Sequence, residues 1–460
     1  MTGQAQWDSR ISFLFAMIGV AVGVGNIWRF SYVLYINGGG AFFIPYIAAV
    51  FLLAIPFLIM EYGLGFSFKT SFTEIMKKIN PKFEIIAWIL VLFTFIVTIY
   101  YMVVLSWDLV YIVSSLKFSW GTDATAYFLN DVGGKADLSN IGSFILPTTI
   151  GVLVTWFILW FISNKDVDKG IGTASKILIP LLFIIMGIII VYSFTLPGAA
   201  MGINTLLNPK WDMLWDVNIW LAAFGQIIFS LSVGEALALT YASYLPENSK
   251  LIDNAVLVVF INSSFEICTA FGVFAILGFM SYTSGIPVTE LIAEGTGLIF
   301  IVFPMIFNVM GLFEPMVSST YNKFGWSRRK TTTVLSIIGC AISLSLTTGI
   351  SAYIVGIIDF FVNNFGVLLL IPIQAIIFGW IYGLDNIIPV LNEHSTFKVG
   401  RIWKFVVKYV SPIILFGLWF VGIFDLFVGA TKFEILIDVI IMASVLIVAF
   451  VFSRKKSVRD

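Results

Sequence analysis

Seven ionisable residues interrupt or border long apolar runs: Arg29, Glu61, Asp108, Glu235, Glu266, Glu314 and Asp359. A charge at the centre of a helix in lipid costs at least ~2.5–3.5 kcal/mol, so such groups face protein or water. Seven of them exceed what a passive helix bundle needs. The chemistry open to them is the binding and passage of ions and polar solutes. Asp108 and Glu314, nearer the ends of their runs, are equally readable as satisfied interior groups. Two stretches rich in small residues lie among them, Gly19-Val-Ala-Val-Gly23-Val-Gly25-Asn26 and Phe229-Ser-Leu-Ser232-Val-Gly234-Glu235. Glycine costs ~1 kcal/mol per residue in a helix and exposes backbone. One such stretch alone reads as close helix packing. Two, five spans apart, match paired discontinuous helices, whose freed carbonyls hold a cation while half-helix N-termini face an anion.

The elements that must position these residues are membrane helices. Hydrophobic residues make up 59% of the chain and charged ones only 11%, against roughly a quarter charged in a soluble protein. No Asp, Glu, Lys or Arg occurs in 30–60, 85–107, 138–164, 177–209, 267–289, 331–358 or 360–384, and ~20 apolar residues cross a bilayer. Runs this long are not the short alternating segments of a β-barrel. The expected fold is an all-α integral membrane protein with about twelve spans, near 11–36, 40–67, 84–116, 141–162, 173–194, 217–242, 252–281, 298–321, 331–350, 354–383, 406–428 and 433–453. Residues 11–194 and 217–383 would form a 5+5 inverted repeat with helices 1 and 6 broken. Residues 406–453 would be appended, between a cytoplasmic N-terminus (1–10) and tail (454–460). With the N-terminus in the cytoplasm, 21 of the 26 basic residues fall on the inner side, as the positive-inside rule requires. The chain is thus expected in the cytoplasmic membrane with both termini inside.

Other classes fall away. The 26 basic and 26 acidic residues balance and point to no nucleic acid. Cys268 and Cys340 lie in apolar runs, which disfavours a disulfide framework or thiolate metal site. His394 stands alone in a charged loop, without a phosphate-binding glycine loop or zinc motif, so no enzyme and no organic cofactor is expected. The first apolar segment lacks a basic leader and a cleavage site, and is expected to be retained.

The residues Ala21-Val-Gly-Val-Gly25-Asn26-Ile-Trp28-Arg29-Phe30 and Asn37-Gly-Gly-Gly40-Ala-Phe-Phe-Ile-Pro45-Tyr46 strongly resemble the opening of the neurotransmitter:sodium symporter family. The likeness continues through Met60-Glu61-Tyr62-Gly63, Tyr100-Tyr101, Gly225-Gln226-Ile-Ile-Phe229-Ser230-Leu-Ser232, Thr240-Tyr241-Ala-Ser-Tyr244 and Asp359, over about 7–453. That family itself exemplifies the inverted repeat, so the pattern of breaks and the resemblance are one argument.

The resemblance implies sodium-coupled symport of an amino acid by alternating access. A first sodium site would use the Ala21 carbonyl, Asn26, Ser230 and Asn262, with the substrate carboxylate as a further ligand. Hard oxygen ligands suit such a cation, and a shared ligand couples ion to substrate. Gly23, where monoamine carriers hold an aspartate, would leave room for a carboxylate. Ala21, Gly25 and Ser230 would stand beside it, Tyr101 would bond it, and Phe229 would close over it. Val97, Ser232, Asn308 and Leu312 would line the side-chain pocket. Arg29 and Asp359 would form an outer, water-bridged gate pair, and Glu61 would brace the unwound sixth helix. Glu266, at i+4 from Asn262 on the same helix face, occupies the place of a neutral residue in chloride-dependent relatives. A carboxylate there implies chloride independence, and its protonation on the return step implies proton antiport.

Three departures from the family pattern stand out. Phe307-Asn308 replaces the Thr-Ser pair of the second sodium site, leaving Gly19, Val22, Pro304 and Asn308 as an incomplete set, so one sodium per cycle is expected. Glu235 stands on the pocket floor in place of an apolar or small residue. It is readable as a reader of a cationic or polar side chain, as a proton carrier, or as a partner of unwound backbone. The cytoplasmic gate pair becomes Gln4 and Asn322, two neutral amides, with Trp7 kept as a plug. A proton-coupled amino-acid carrier and a transporter-like amino-acid sensor are the rival readings. The partners expected are an amino acid and the lipid bilayer, with the chain a monomer or homodimer.

Overall fold

A run that is apolar on every side leaves its backbone N–H and C=O groups no partners but each other, and the helix is the structure that pairs them all within one segment. The computed structural model describes residues 6–23, 26, 29–121, 124–135, 137–294, 305–427 and 430–457. Among these, eight helices are long and apolar enough to cross a membrane: Gly39–Phe68, Pro81–Ser115, Leu146–Ser163, Asp168–Phe194, Leu251–Ser284, Ser351–Asn386, Arg401–Phe424 and Lys432–Arg454. The other four expected spans are helical but shorter or more polar. Two are interrupted, as Arg10–Ala21 with Phe30–Ile36 and Val217–Leu231 with Leu237–Ala242. The remaining two are Met305–Phe324 and Arg328–Ser345.

Burial separates the helices that can carry a site from those that face outward. In Pro81–Ser115, 78% of the apolar window is buried, and in Gly39–Phe68 61%; in Lys432–Arg454 the share is 11%. The first two line the centre, and the last is a peripheral helix whose apolar side chains are dressed for lipid. One close approach fixes the centre. A Cβ on Gly65 would lie 2.0 Å from the Leu239 carbonyl oxygen, so only glycine lets Gly39–Phe68 press against the short half-helix Leu237–Ala242.

Two expected boundaries need correction. The ninth span ends at Ser345, not 350. The fourth span starts at Leu146, not 141, with Pro147 in its first turn, where the missing N–H costs nothing. The residues before it pair with the loop that follows Arg328–Ser345 instead. Gly349 N–H donates to the Ser143 carbonyl at 2.6 Å, Ile145 N–H to Thr347 at 2.9 Å, and Lys135 N–H to Gly349 at 2.8 Å. Apolarity alone does not distinguish that extended stitching from a helix. His394, expected in a loop, instead ends the short helix Ile388–His394.

Candidate functional site

Both interrupted helices break at the small residues that mark them in sequence. The first helix stops at Ala21, Val22 turns to extended backbone, and the next α-helix is Phe30–Ile36. The second stops at Leu231, and Ser232, Gly234 and Ala236 all take positive φ, at 48°, 83° and 63°. Left-handed backbone suits glycine and is strained for serine and alanine, so the break must be held from outside. Glu61 Oε2 accepts the Gly234 N–H at 3.3 Å, and Gln374 Nε2 donates to the Gly234 carbonyl at 2.6 Å. Thr94 Oγ1 lies 3.4 Å from the Glu235 carbonyl oxygen. Gln374 and Thr94 carry no mark in the sequence beyond being polar in apolar runs.

Three side chains from three segments meet between the breaks. Asn26 Nδ2 donates to Asn262 Oδ1 at 2.7 Å and reaches Ser230 Oγ at 3.4 Å, while Asn262 Nδ2 donates to Ser230 Oγ at 2.5 Å. Asn26 Oδ1 accepts the Gly23 N–H at 2.9 Å. All three side chains are buried. The C-terminal end of Arg10–Ala21 presents backbone carbonyls and the negative end of the helix dipole. The donors present are thus neutral, hard oxygens with partial negative charge. They fit an alkali cation, and a rotation of either amide exchanges its nitrogen for its oxygen.

One turn behind Asn262 the fully buried Glu266 is held by two donors, Gln226 Nε2 at 2.8 Å on Oε1 and the Tyr46 hydroxyl on Oε2. Gln226 also accepts from Arg29 Nη1 at 2.6 Å. The Arg29 guanidinium lies 4.3 Å above the Phe229 ring. Arg29 and Asp359 line one cavity of about 400 Å³, but among the described residues no ion pair joins them. Asp359 accepts from the Tyr100 hydroxyl at 2.5 Å and from Asn363 Nδ2 at 2.9 Å. A directly closed gate pair is therefore not the arrangement here. The π-wound stretch Val362–Val367, which follows Asp359, sets Asn363 and Asn364 on the cavity wall, as irregular helix turns often do at working sites.

The cavity opens where Asp359 and Phe360 are exposed and is lined further in by Tyr101, Phe229, Asn26 and Ser230. Gly23, Val97, Ser232, Glu235 and Leu312 line it as well, and all five are buried. A cavity that runs from a polar, exposed mouth to a buried oxygen cluster at two helix breaks is a solute site within a helical bundle. The whole chain matches the model of the sodium:neurotransmitter symporter family, over residues 4–131, 121–321 and 308–454. The chain belongs to that family. It is 36% identical over 442 residues to an uncharacterised sodium-dependent transporter of Methanocaldococcus jannaschii, with 90% of this chain and 89% of the relative covered. A sodium-dependent dopamine transporter of Caenorhabditis elegans is 27% identical over 490 residues (90% and 79% covered), and a sodium- and chloride-dependent GABA transporter of Rattus norvegicus 26% over 471 (89% and 78%). The protein is thus a multi-pass membrane transporter rather than an enzyme, with sodium as the co-transported ion and a small molecule as its substrate.

In this symporter the opposite end of the site is sealed. Trp7 is buried, its backbone N–H donates to the Tyr244 carbonyl and its Nε1 to that of Tyr241, both at 2.9 Å, and its ring packs edge-on against Phe13 and Tyr241. Beneath it Arg328 grips Glu314 through two bonds of 2.6 and 2.7 Å, and the Tyr244 hydroxyl adds a third at 3.0 Å. Glu314 is accordingly a satisfied structural group. Asp108 is buried within Pro81–Ser115, outside the cavity lining. Lys323 pairs with Glu84 in the same sealed region. Asn322 is buried with Oδ1 unpartnered, while Gln4, its expected partner, lies outside the described residues. So do Gly25 and Pro304, and the Asn308 side chain. Gly19 and Val22 sit at the end of the first half-helix. Gln226, Tyr46 and Tyr100 are the residues that sequence reasoning quoted without giving a role; each lies in a motif, but its partner is remote in the chain.

Proposed function

We propose that the protein couples the entry of sodium to that of an amino acid by alternating access, independently of chloride. The observation that carries this reading is the Asn26–Ser230–Asn262 oxygen cluster, with the buried carboxylate of Glu266 one turn behind it. A carboxylate already in place supplies the negative charge that a bound chloride would otherwise bring. The substrate carboxylate would meet the cation beside Gly23, with Tyr101 as its donor. Substrate and sodium would then stabilise each other in one site. The proposed cycle uses one sodium, because no Thr-Ser pair stands at Phe307-Asn308.

The proposed topology has twelve spans and a 5+5 inverted repeat, 11–194 and 217–383, with both termini in the cytoplasm. The 21 basic residues on that side support it. In that orientation the Trp7 seal closes the cytoplasmic side and the Asp359 mouth faces outward. The proposed assembly is a monomer or homodimer.

The test is uptake of amino acids into proteoliposomes of the purified protein under a sodium gradient. Uptake should collapse when sodium is replaced by potassium or choline and persist when chloride is replaced by gluconate. Uptake that ignores sodium but follows an imposed pH gradient would instead establish the proton-coupled reading. The specific observation on that side is Glu235, a buried carboxylate whose Oε2 has no partner.

A further inference from the structure

Of the two acidic residues that line the cavity, Asp359 is exposed and Glu235 is buried, and the symport mechanism leaves Glu235 without work. Its side chain is 6% exposed, it lines the cavity, and its Oε2 has no hydrogen-bond partner. Its backbone is pinned, since its carbonyl oxygen lies 3.4 Å from Thr94 Oγ1, and its N–H faces the Ser232 carbonyl at 3.4 Å. The carboxylate is therefore held at the break and not drifting on a loop. Close by, Glu61 binds the neighbouring Gly234 N–H with Oε2, while its Oε1 too has no partner. Among the described residues neither carboxylate has an ion-pair partner. Arg29, the basic residue on the cavity wall, is committed to Gln226 and Phe229 towards the mouth.

The Ser232 side chain also hydrogen-bonds to Glu235, but a buried carboxylate with one oxygen left without a donor is driven to find a cation or to take up a proton. The rest of the cavity decides which. The cavity that holds the oxygen cluster and Glu235 is also lined by Val97 and Leu312, apolar walls that fit methylene groups. A cavity of about 400 Å³ holds a long unbranched side chain. Leucine or phenylalanine would bury an apolar tip against a carboxylate and leave it unpaired, whereas an ammonium or guanidinium would supply the missing donors and charge.

We infer that Glu235 selects amino acids with a cationic side chain, its carboxylate taking the side-chain ammonium or guanidinium in the cavity that it shares with the oxygen cluster. The inference rests on the amino-acid symport reading above. Charge-assisted contacts of this kind are the strong ones in a desolvated site. Loss of one is expected to cost about tenfold to a hundredfold in affinity.

The test is a thermal-shift titration of the purified full-length protein in sodium, with lysine, arginine, leucine and Nε-acetyl-lysine as probes. Lysine and arginine should stabilise at concentrations about tenfold or more below those of leucine and of Nε-acetyl-lysine, which keeps the stem and removes the charge. In Glu235→Gln the lysine-to-leucine affinity ratio should fall by about tenfold or more. If that variant does not fold, the comparison of lysine with Nε-acetyl-lysine on the unaltered protein still decides. Equal binding of lysine and its acetyl derivative, a preference for leucine, or an unchanged ratio in Glu235→Gln overturns the inference and leaves symport standing. A preference for leucine that tracks pH and loses its pH dependence in Glu235→Gln overturns it in favour of a proton on Glu235. If no amino acid stabilises the protein in sodium, the underlying symport reading falls instead.

Discussion

Gln226 donates to Glu266 Oε1 at 2.8 Å, and its own carbonyl oxygen is taken at 2.6 Å by Arg29. A single neutral amide thus ties a guanidinium on the cavity wall to the carboxylate behind the proposed cation site. An amide can serve both because it presents a donor and an acceptor on opposite edges. The arrangement holds Arg29 away from Asp359, which is occupied by Tyr100 and Asn363. For Arg29 to meet Asp359 across the mouth, these bonds must be exchanged.

Replacing Gln226 by Leu strands both charged neighbours. Each loses a hydrogen bond in a buried setting, at about 1–3 kcal/mol per unsatisfied group. The expected outcome is a lower melting temperature of the purified protein together with weaker sodium binding, read by titrating sodium in a thermal-shift assay. Gln226→Glu would add a like charge beside Glu266 and should weaken sodium binding less than it weakens stability. Unaltered sodium titrations in both variants would show that the bridge plays no part in ion binding.

Sodium itself should act as a stabilising ligand. At a hundred times its dissociation constant a ligand raises stability by about 2.7 kcal/mol. Asn262→Ala removes an oxygen donor from the cluster and leaves Asn26 and Ser230 short of a partner. The sodium-dependent rise in melting temperature should vanish in this variant, and the melting temperature in potassium should also fall, because two buried groups lose a partner.

The Glu314–Arg328 pair is expected to hold the sealed end. Removing one partner of a buried ion pair costs about 3–5 kcal/mol, mostly through the charge left behind. Arg328→Met should therefore destabilise strongly and expose a cysteine introduced at Ser318, buried in this structure, to a water-soluble thiol reagent. The double replacement Glu314→Leu with Arg328→Met should recover stability relative to the single variant, yet keep the cysteine reactive.

Gly65→Ala tests the packing of the short half-helix. A Cβ placed 2.0 Å from the Leu239 oxygen forces backbone apart, and overpacking of this kind costs about 1–3 kcal/mol. Because Leu237–Ala242 follows the break that carries Glu235, substrate binding should weaken along with stability. Gly417→Ala, with open space around it, is the control and should change neither.

The membrane class, the apolar runs and the two breaks were all legible in the amino-acid order, because each depends on local composition. A run without charge is long or it is not, and glycines clustered within a few residues weaken a helix locally. Asn26, Ser230 and Asn262 were grouped only through likeness to a family; nothing in their spacing brings residues more than two hundred positions apart together. What tertiary structure alone decided is which polar groups are already satisfied. Glu314 and Glu235 look alike in sequence, each a lone acid in an apolar helix, yet Glu314 carries two bonds from Arg328 and one from Tyr244, while Glu235 keeps a buried oxygen without a donor. Hydropathy prices the burial of a charge but not the partner that meets it. That partner comes from another segment, and only the packing of helix faces determines which one arrives.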